Sequence, residues 1–555
     1  MTALPQRPSA LQLFTAYNSA VQRWPGALRA ALAILLPGSL ALSLGYDHAV
    51  VLVSAGACAV IYGEGHPYRT RWRVILTAGL LLLTAATCGA LVGEFVLAPD
   101  HGHWWLALSA AYVIAIGTVA VFVQNALRLP PPGCFFLIMV GGGSTMVARA
   151  SISAGQVALW CAAGVAASLI IGLAPYVLDP HGPERRAVTA CEKASAAFIA
   201  AESDLLARHH QAQTAIFAAW QTLSDAAIVS GGIVRRADQA DLVERTLAAQ
   251  NRVVDRNRTL SVDSDLLSDS VTDVDPDRTV IPHTRPTQQY RLYRSATADS
   301  HPTLSAQKVL IASALTAVAG IALGLNRPDW GAVSVLLLLQ WGPDRLPGTI
   351  RGFQRMVGSA LGVALFAAFH AFGLHGWTLL IALALCQYAA EVFVVRNYAI
   401  CVIFSTPLAL LMGNVSGAVL PVVGSRMAEI ALSVVFSLAV LWLWRPGAEI
   451  RNHRRLQVRC CEAMSSLLGA LLTQTPEECL AARRDLNYEL LSERRSIQSL
   501  ASDYPAAATE LWNRHEVLHR SGYALLDFCS THPFQHPSRA ELEALTREVA
   551  KAQDA

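Results

Sequence analysis

Residues 329–355 read DWGAVSVLLLLQWGPDRLPGTIRGFQR, and the fold follows from how this stretch is read. An apolar run ends in a Gly/Pro-rich turn, and a basic segment then leads into the next apolar run. Residues 47–73, DHAVVLVSAGACAVIYGEGHPYRTRWR, have the same layout. The two stretches align without a gap: Asp47 falls on Asp329, His48 on Trp330, Arg69 on Arg351 and Arg73 on Arg355. Upstream, the interval from Arg29 to Gly45 equals that from Lys308 to Gly324. One apolar module therefore occurs twice.

Composition says what kind of module it is. Of 555 residues, 53% are hydrophobic and 15% charged, where a soluble domain carries about a quarter charged residues. Mean hydropathy is +0.39. The deficit of charge is concentrated in residues 27–178 and 306–445, whose apolar runs are of membrane-spanning length. A net charge of +3 is too small to point to nucleic acid as a partner. The eleven cysteines are scattered, and several lie inside apolar runs, where cysteine acts as a small hydrophobe. Cys460 and Cys461 are adjacent, a poor geometry for a mutual disulfide or a zinc site. No metal ligand set and no cofactor motif is read from the sequence.

The blocks divide into spans at about 27–44, 48–62, 74–97, 106–127, 134–147 and 156–178, then 306–325, 330–341, 356–372, 377–395, 398–412 and 427–444. Six spans in each give both blocks the same orientation, so they are expected to be parallel repeats about an axis along the membrane normal. Arg69, Arg71, Arg73, Arg128, Arg345, Arg351, Arg355, Arg396, Arg445 and Arg451 then share one side, which the positive-inside rule makes cytoplasmic together with both termini. Residues 1–26 form a short N-terminal arm, and the first apolar run reads as a retained span. Residues 179–260 and 446–555 carry apolar stripes at helical spacing and read as cytoplasmic helical domains. Arg185-Arg186 precede Cys191 as Arg454-Arg455 precede Cys460, so the repeat extends into these domains. Residues 261–305, rich in Asp and Ser, are expected to be a flexible acidic linker. Neither domain has a Walker A motif, a nucleophile elbow or an HExxH, so no enzyme activity is expected. The expected fold is all-α: two helical membrane bundles, each followed by a helical domain.

The second block resembles the fusaric acid resistance (FUSC) family of inner-membrane proteins. Gly324, Pro328, Trp330 and Gln340, then Arg355, Gly358, Ser359 and Gly362, carry the resemblance. The first block departs from it: His48 stands in place of the Trp, and Arg73 is followed by Val74-Ile75-Leu76-Thr77 without the glycine. Relatives in that family include exporters of aromatic carboxylic acids, and plant aluminium-activated malate channels share a related membrane module. The resemblance implies proton-driven export of small organic anions from a bacterial inner membrane, with a periplasmic adaptor protein as one partner and a homo-oligomer as another arrangement. A passive anion channel and an envelope scaffold acting through its helical domains are the alternatives.

Arg69, Arg73, Arg351 and Arg355 are the candidate anion-binding residues, because a guanidinium gives planar, bidentate carboxylate recognition. The other reading of each is a topology signal at the headgroups. Trp330 is a candidate for stacking on an aromatic substrate, or an interface anchor. Asp47, Asp329, Glu391, Glu429 and His48 are candidates for proton coupling, since ionisable residues within spans are functional by default. Asp47 and Asp329 also suit helix N-termini. Arg426 stands one turn before Glu429, a spacing that allows the two to neutralise each other.

Overall fold

The computed structural model describes residues 9–15, 23–46, 49–202, 205–230, 233–260, 287–394, 396–412, 419–532 and 534–554. A short helix α1 (Ala10–Thr15) precedes the first block, which comprises α2 (Trp24–Ser43), α3 (Ala49–Ala57), α4 (Ala59–Tyr62), α5 (Tyr68–Val96), α6 (Leu106–Leu127), α7 (Phe135–Ser144) and α8 (Ala154–Leu173). Helices α9 (Gly182–Ile199), α10 (Leu205–Asp225) and α11 (Ala240–Leu260) form the first soluble unit, and α12 (Gln288–Ser295) leads to the second block. That block comprises α13 (His301–Ala322), α14 (Pro328–Leu339), α15 (Arg345–Ala371), α16 (Gly376–Phe393), α17 (Tyr398–Met412) and α18 (Val419–Leu443). The chain ends in α19 (Ala448–Ala470), α20 (Leu480–Asp503), α21 (Pro505–Thr531) and α22 (Arg539–Asp554).

Among the described residues eight helices are long and apolar enough to cross a membrane: α2, α5, α6 and α8 in the first block, α13, α15, α16 and α18 in the second. The second and fifth runs of each block are shorter: α3–α4, α7, α14 and α17. At 1.5 Å per residue the 12 residues of α14 reach about 18 Å, well short of a hydrocarbon core of about 30 Å. Of the six runs in each block, four are thus long helices and two are half-length segments. Broken helices are tolerated at membrane depth only where protein covers their ends, and here it does: every residue of α14 is buried. The exposed surface of the long helices is instead apolar, with Leu36, Leu40, Leu80, Leu81, Leu159, Ile170, Val318 and Leu385 turned outward. That belt makes the lipid bilayer the surrounding medium.

Packing between the blocks is reciprocal. Helix α2 of the first block packs on α16 of the second, and α13 of the second packs on α6 of the first. Within each block the third long run packs on the fifth, α5 on α7 and α15 on α17. Glycines permit the closest approaches. A Cβ on Gly56 would lie 2.0 Å from the Cys161 carbonyl oxygen, and one on Gly164 would lie 2.1 Å from that of Val53, so α3 and α8 meet backbone to backbone.

Both soluble units leave the same end of the bundle. Arg71, in the first turn of α5, donates to the Gly172 carbonyl near the end of α8 (3.3 Å), from which α9 follows. The end of α6 lies beside the start of α5, since these neighbours run antiparallel, and there Arg128 donates to Ser492 of α20. The first soluble unit buries Val188, Cys191, Phe198, Trp220 and Leu223, and it includes an antiparallel pair, β1 (Val229–Ser230) and β2 (Ile233–Val234). The linker expectation holds for residues 261–286 only as an expectation, because they lie outside the described residues. From 287 onward it is corrected. Thr287 caps α12, and α12 is docked: Tyr290 donates to Glu489 (3.1 Å) and Arg291 to the Leu127 carbonyl. These aromatic and basic anchors distinguish α12 from the acidic stretch before it.

Candidate functional site

Pro328 in the first turn of α14 starts that half-helix inside the bundle. This brings Arg327, Asp329 and Trp330 to its buried end. Arg327 forks onto Asp329, donating from Nε to Oδ1 (3.0 Å) and from Nη2 to Oδ2 (2.8 Å). The backbone N–H of Arg327 donates to Glu429 Oε1 on α18 (3.2 Å). Trp330 then holds two cations against one ring: the Arg327 guanidinium lies 4.1 Å and that of Arg426 4.4 Å from its centroid. Arg355 of α15 faces the same place and donates from Nη2 to Ser334 Oγ (3.4 Å).

The site lies at mid-depth. Arg355 is ten residues into α15, and Asp329 is eleven residues from Gln340 at the far end of α14. Each is thus about 15 Å from the end of the bundle that carries the soluble units. Three guanidiniums (Arg327, Arg355, Arg426) face two carboxylates (Asp329, Glu429), leaving at least one positive charge in excess. Hydrogen-bonding capacity is also left over: Arg355 Nε, Arg426 Nε and Nη1, and Glu429 Oε2 are buried without a hydrogen-bond partner. Buried polar groups are normally satisfied, so a cluster of orphaned donors calls for a ligand or water. A cavity of about 30 Å³ sits among these residues, closed on the first-block side by Phe135, Met139 and Gly143 of α7. It lies on the seam between the blocks and has room for about two waters.

A larger cavity of about 610 Å³ opens at the other end of α14, between the bundle and the second soluble unit. Arg128, Arg294, Arg459 and Arg495 line it together with Asp299, Asp344 and Glu449. There Gln124 and Asn125 of α6 donate to the Gln340 carbonyl (3.3 and 2.8 Å), tying α14 to the first block. The two cavities bracket the length of α14.

The candidate residues separate sharply. Arg355, Trp330, Asp329 and Glu429 come together. Arg351 is half-buried one turn nearer the soluble end. Asp47 and His48 lie outside the described residues. Glu391 is buried elsewhere, 3.9 Å from Arg23 at the start of α2, and so is not beside the cavity. Arg69 and Arg73 are exposed, with Arg73 5.3 Å from the ring of Trp72. The expectation that Arg73 faces the interior as Arg355 does is therefore corrected. Arg71, two residues earlier, turns inward and donates to the carbonyls of His66 and Gly172. Two residues on a helix are a rotation of about 200°. Arg71 precedes Ile75, Gly79 and Leu82 on the buried stripe as Arg355 precedes Ser359, Gly362 and Phe366, so the gapless alignment is two residues out of phase here.

The sequence gives Arg327 no role, and its spacing allows Arg426 and Glu429 to neutralise each other. Among the described residues no ion pair joins those two; Arg426 is turned onto Trp330 instead. The Arg-Pro-Asp-Trp run at 327–330 held the missed signal, since it sets a cation, an acid and a ring on one turn.

Fold and site together define an all-α, multi-pass membrane protein with a charged seam between two helical blocks. Residues 311–440, most of the second block, match the family described as fusaric acid resistance protein-like. The match of this block suggests a transporter-type role. No curated protein and no solved structure matches the chain.

Proposed function

We propose that the protein exports small organic carboxylates, aromatic ones among them, across a bacterial inner membrane, with both termini in the cytoplasm. The observation that carries this reading is the set of orphaned guanidinium N–H groups on Arg355 and Arg426 beside Trp330, at mid-depth on the seam between the blocks. A carboxylate would accept from both arginines, and an aromatic body would lie against Trp330 or Phe135. Charge-assisted bonds of this kind are worth about 1.5–3 kcal/mol each. The 610 Å³ cavity supplies a basic approach from the side of the soluble units, and α14 lies along the route between it and the site. Substrate entry requires the small cavity to widen, which favours a carrier that opens in turn to each side over a permanently open channel. Glu429, with one buried oxygen unpaired, is the proton-coupling residue in this reading; Asp329 is held by Arg327.

The test is flux of a panel of small aromatic carboxylates in proteoliposomes. Arg355→Ala and Arg426→Ala should each lower flux about 10–100-fold, the equivalent of one lost charge-assisted bond. Arg355→Lys should fall between, because it keeps the charge and loses the fork. Arg69→Ala and Arg73→Ala should transport normally. Wild-type flux in both Arg355→Ala and Arg426→Ala would remove the seam as the binding site, and flux indifferent to collapse of the proton gradient would remove the coupling.

A further inference from the structure

The second soluble unit contains a cluster of ligating side chains that the transport reading does not use. Glu493 on α20 is fully buried. On α21, His515 and His519 stand one turn apart, so both rings project from one face. His515 Nδ1 lies 2.7 Å and His519 Nε2 2.8 Å from Glu493 Oε2. The ligand atoms of these three residues all lie within 4.8 Å of one another. From the third helix, α19, His453 brings Nε2 to 3.4 Å from Glu493 Oε1. Both ring nitrogens of His453 and the Oε1 of Glu493 are buried without a hydrogen-bond partner. A hydrogen-bonded network built for its own sake would leave none of these atoms unmatched.

We propose that His453, Glu493, His515 and His519 form a divalent transition-metal site in the core of the α19–α20–α21 bundle, with zinc as the best match. Three imidazoles and a carboxylate are a borderline donor set suited to zinc, and facing helices of a bundle are where such sites are built. Tetrahedral zinc with bonds of about 2.0–2.1 Å sets its ligand atoms about 3.3 Å apart. The contacts of His515 and His519 to Oε2 need to open by about half an ångström around the ion, and His453, which faces the other carboxylate oxygen, enters the set through a bidentate Glu493. Four protein ligands from three helices close the coordination sphere, so the ion would be structural: it would clamp the bundle beneath α15.

The test uses tag-free, full-length protein in detergent. Plasma mass spectrometry of the purified protein, and cobalt added after chelator treatment, should give close to one metal per chain. Bound cobalt should show the intense visible absorption of a four-coordinate site, and the ion should raise the unfolding temperature. His515→Gln with His519→Gln should abolish binding. Because that pair is buried and its replacement can impair folding, His453→Gln is the second variant: it should fold with wild-type helicity and weaken cobalt binding at least tenfold. Wild-type protein that takes up no zinc, cobalt, iron or manganese, and unfolds at one temperature with and without them, would overturn the proposal and leave an acid–imidazole network.

Discussion

Trp330 is buried between charges that a membrane interior normally excludes. An arginine at mid-span costs about 2.5–3.5 kcal/mol on insertion scales. Arg327 recovers that through Asp329, but Arg426 has no such fork, and the ring 4.4 Å away is its compensation. A desolvated cation–π contact is worth about 2 kcal/mol, so the ring accounts for much of what makes Arg426 tolerable there. Trp330→Phe keeps a weaker π face, and Trp330→Leu keeps only apolar bulk. Stability in detergent should therefore fall modestly for Phe and by about 2 kcal/mol for Leu, read as two steps down in unfolding temperature, with transport following the same order. Equal temperatures for the two variants would show that the ring acts by volume alone.

Gly358 and Gly362 explain, at the level of the element, why the Arg-Gly-Ser-Gly pattern takes small residues. A Cβ on Gly358 would come within 2.6 Å of the Ala399 carbonyl oxygen and 2.8 Å of Val402 Cβ; one on Gly362 would come within 2.6 Å of Thr406 Cβ. The pair lets α15 lie directly on α17, and Arg355 is one turn upstream of that contact. In the first block Gly89 and Gly93 do the same for α5 and α7, where an added Cβ would meet the carbonyl oxygens of Gly141 and Thr145 at 2.3 and 2.2 Å. Overpacking costs about 1–3 kcal/mol. Gly358→Ala should lower stability by that amount and reduce flux by displacing Arg355, whereas Gly469→Ala, with open space around it, should be neutral. Thermal melts and flux measured on both variants check this, and an unperturbed Gly358→Ala would mean that α15 and α17 separate freely.

For the whole molecule, the question is how the second soluble unit is coupled to the bundle. Lys308 of α13 is buried and donates to Glu449 of α19 (3.3 Å) and to the carbonyls of Pro343 and Leu441 (3.0 and 3.3 Å). Asp503, at the end of α20, accepts from the Leu346 N–H (3.0 Å) and so caps the start of α15. The helix that carries Arg355 therefore rests on the unit that holds the proposed metal. Removing one partner of a buried pair costs about 3–5 kcal/mol, because the other charge is left stranded. Lys308→Ala should destabilise by that amount in a detergent melt, and Lys308→Met combined with Glu449→Leu should recover most of it. A double variant as unstable as the single would place the effect in the Lys308 carbonyl contacts instead.

The apolar runs and the helical stripes of residues 183–260 and 447–552 were legible in the sequence, because burial period and composition are local properties. The candidates Arg355, Trp330 and Asp329 were legible too, as charges and a ring at the edges of apolar runs, and Glu429 as a charge within one. Tertiary packing decided the rest. It turned Arg71 rather than Arg73 inward, since helical phase is set by which face meets a neighbour. It drew Glu391 to Arg23 and Arg426 to Trp330, partners that sequence spacing does not reveal. It also brought His453, Glu493, His515 and His519 together from three helices: a site of this kind exists only once the helices pack, because no two of its elements carry the whole donor set.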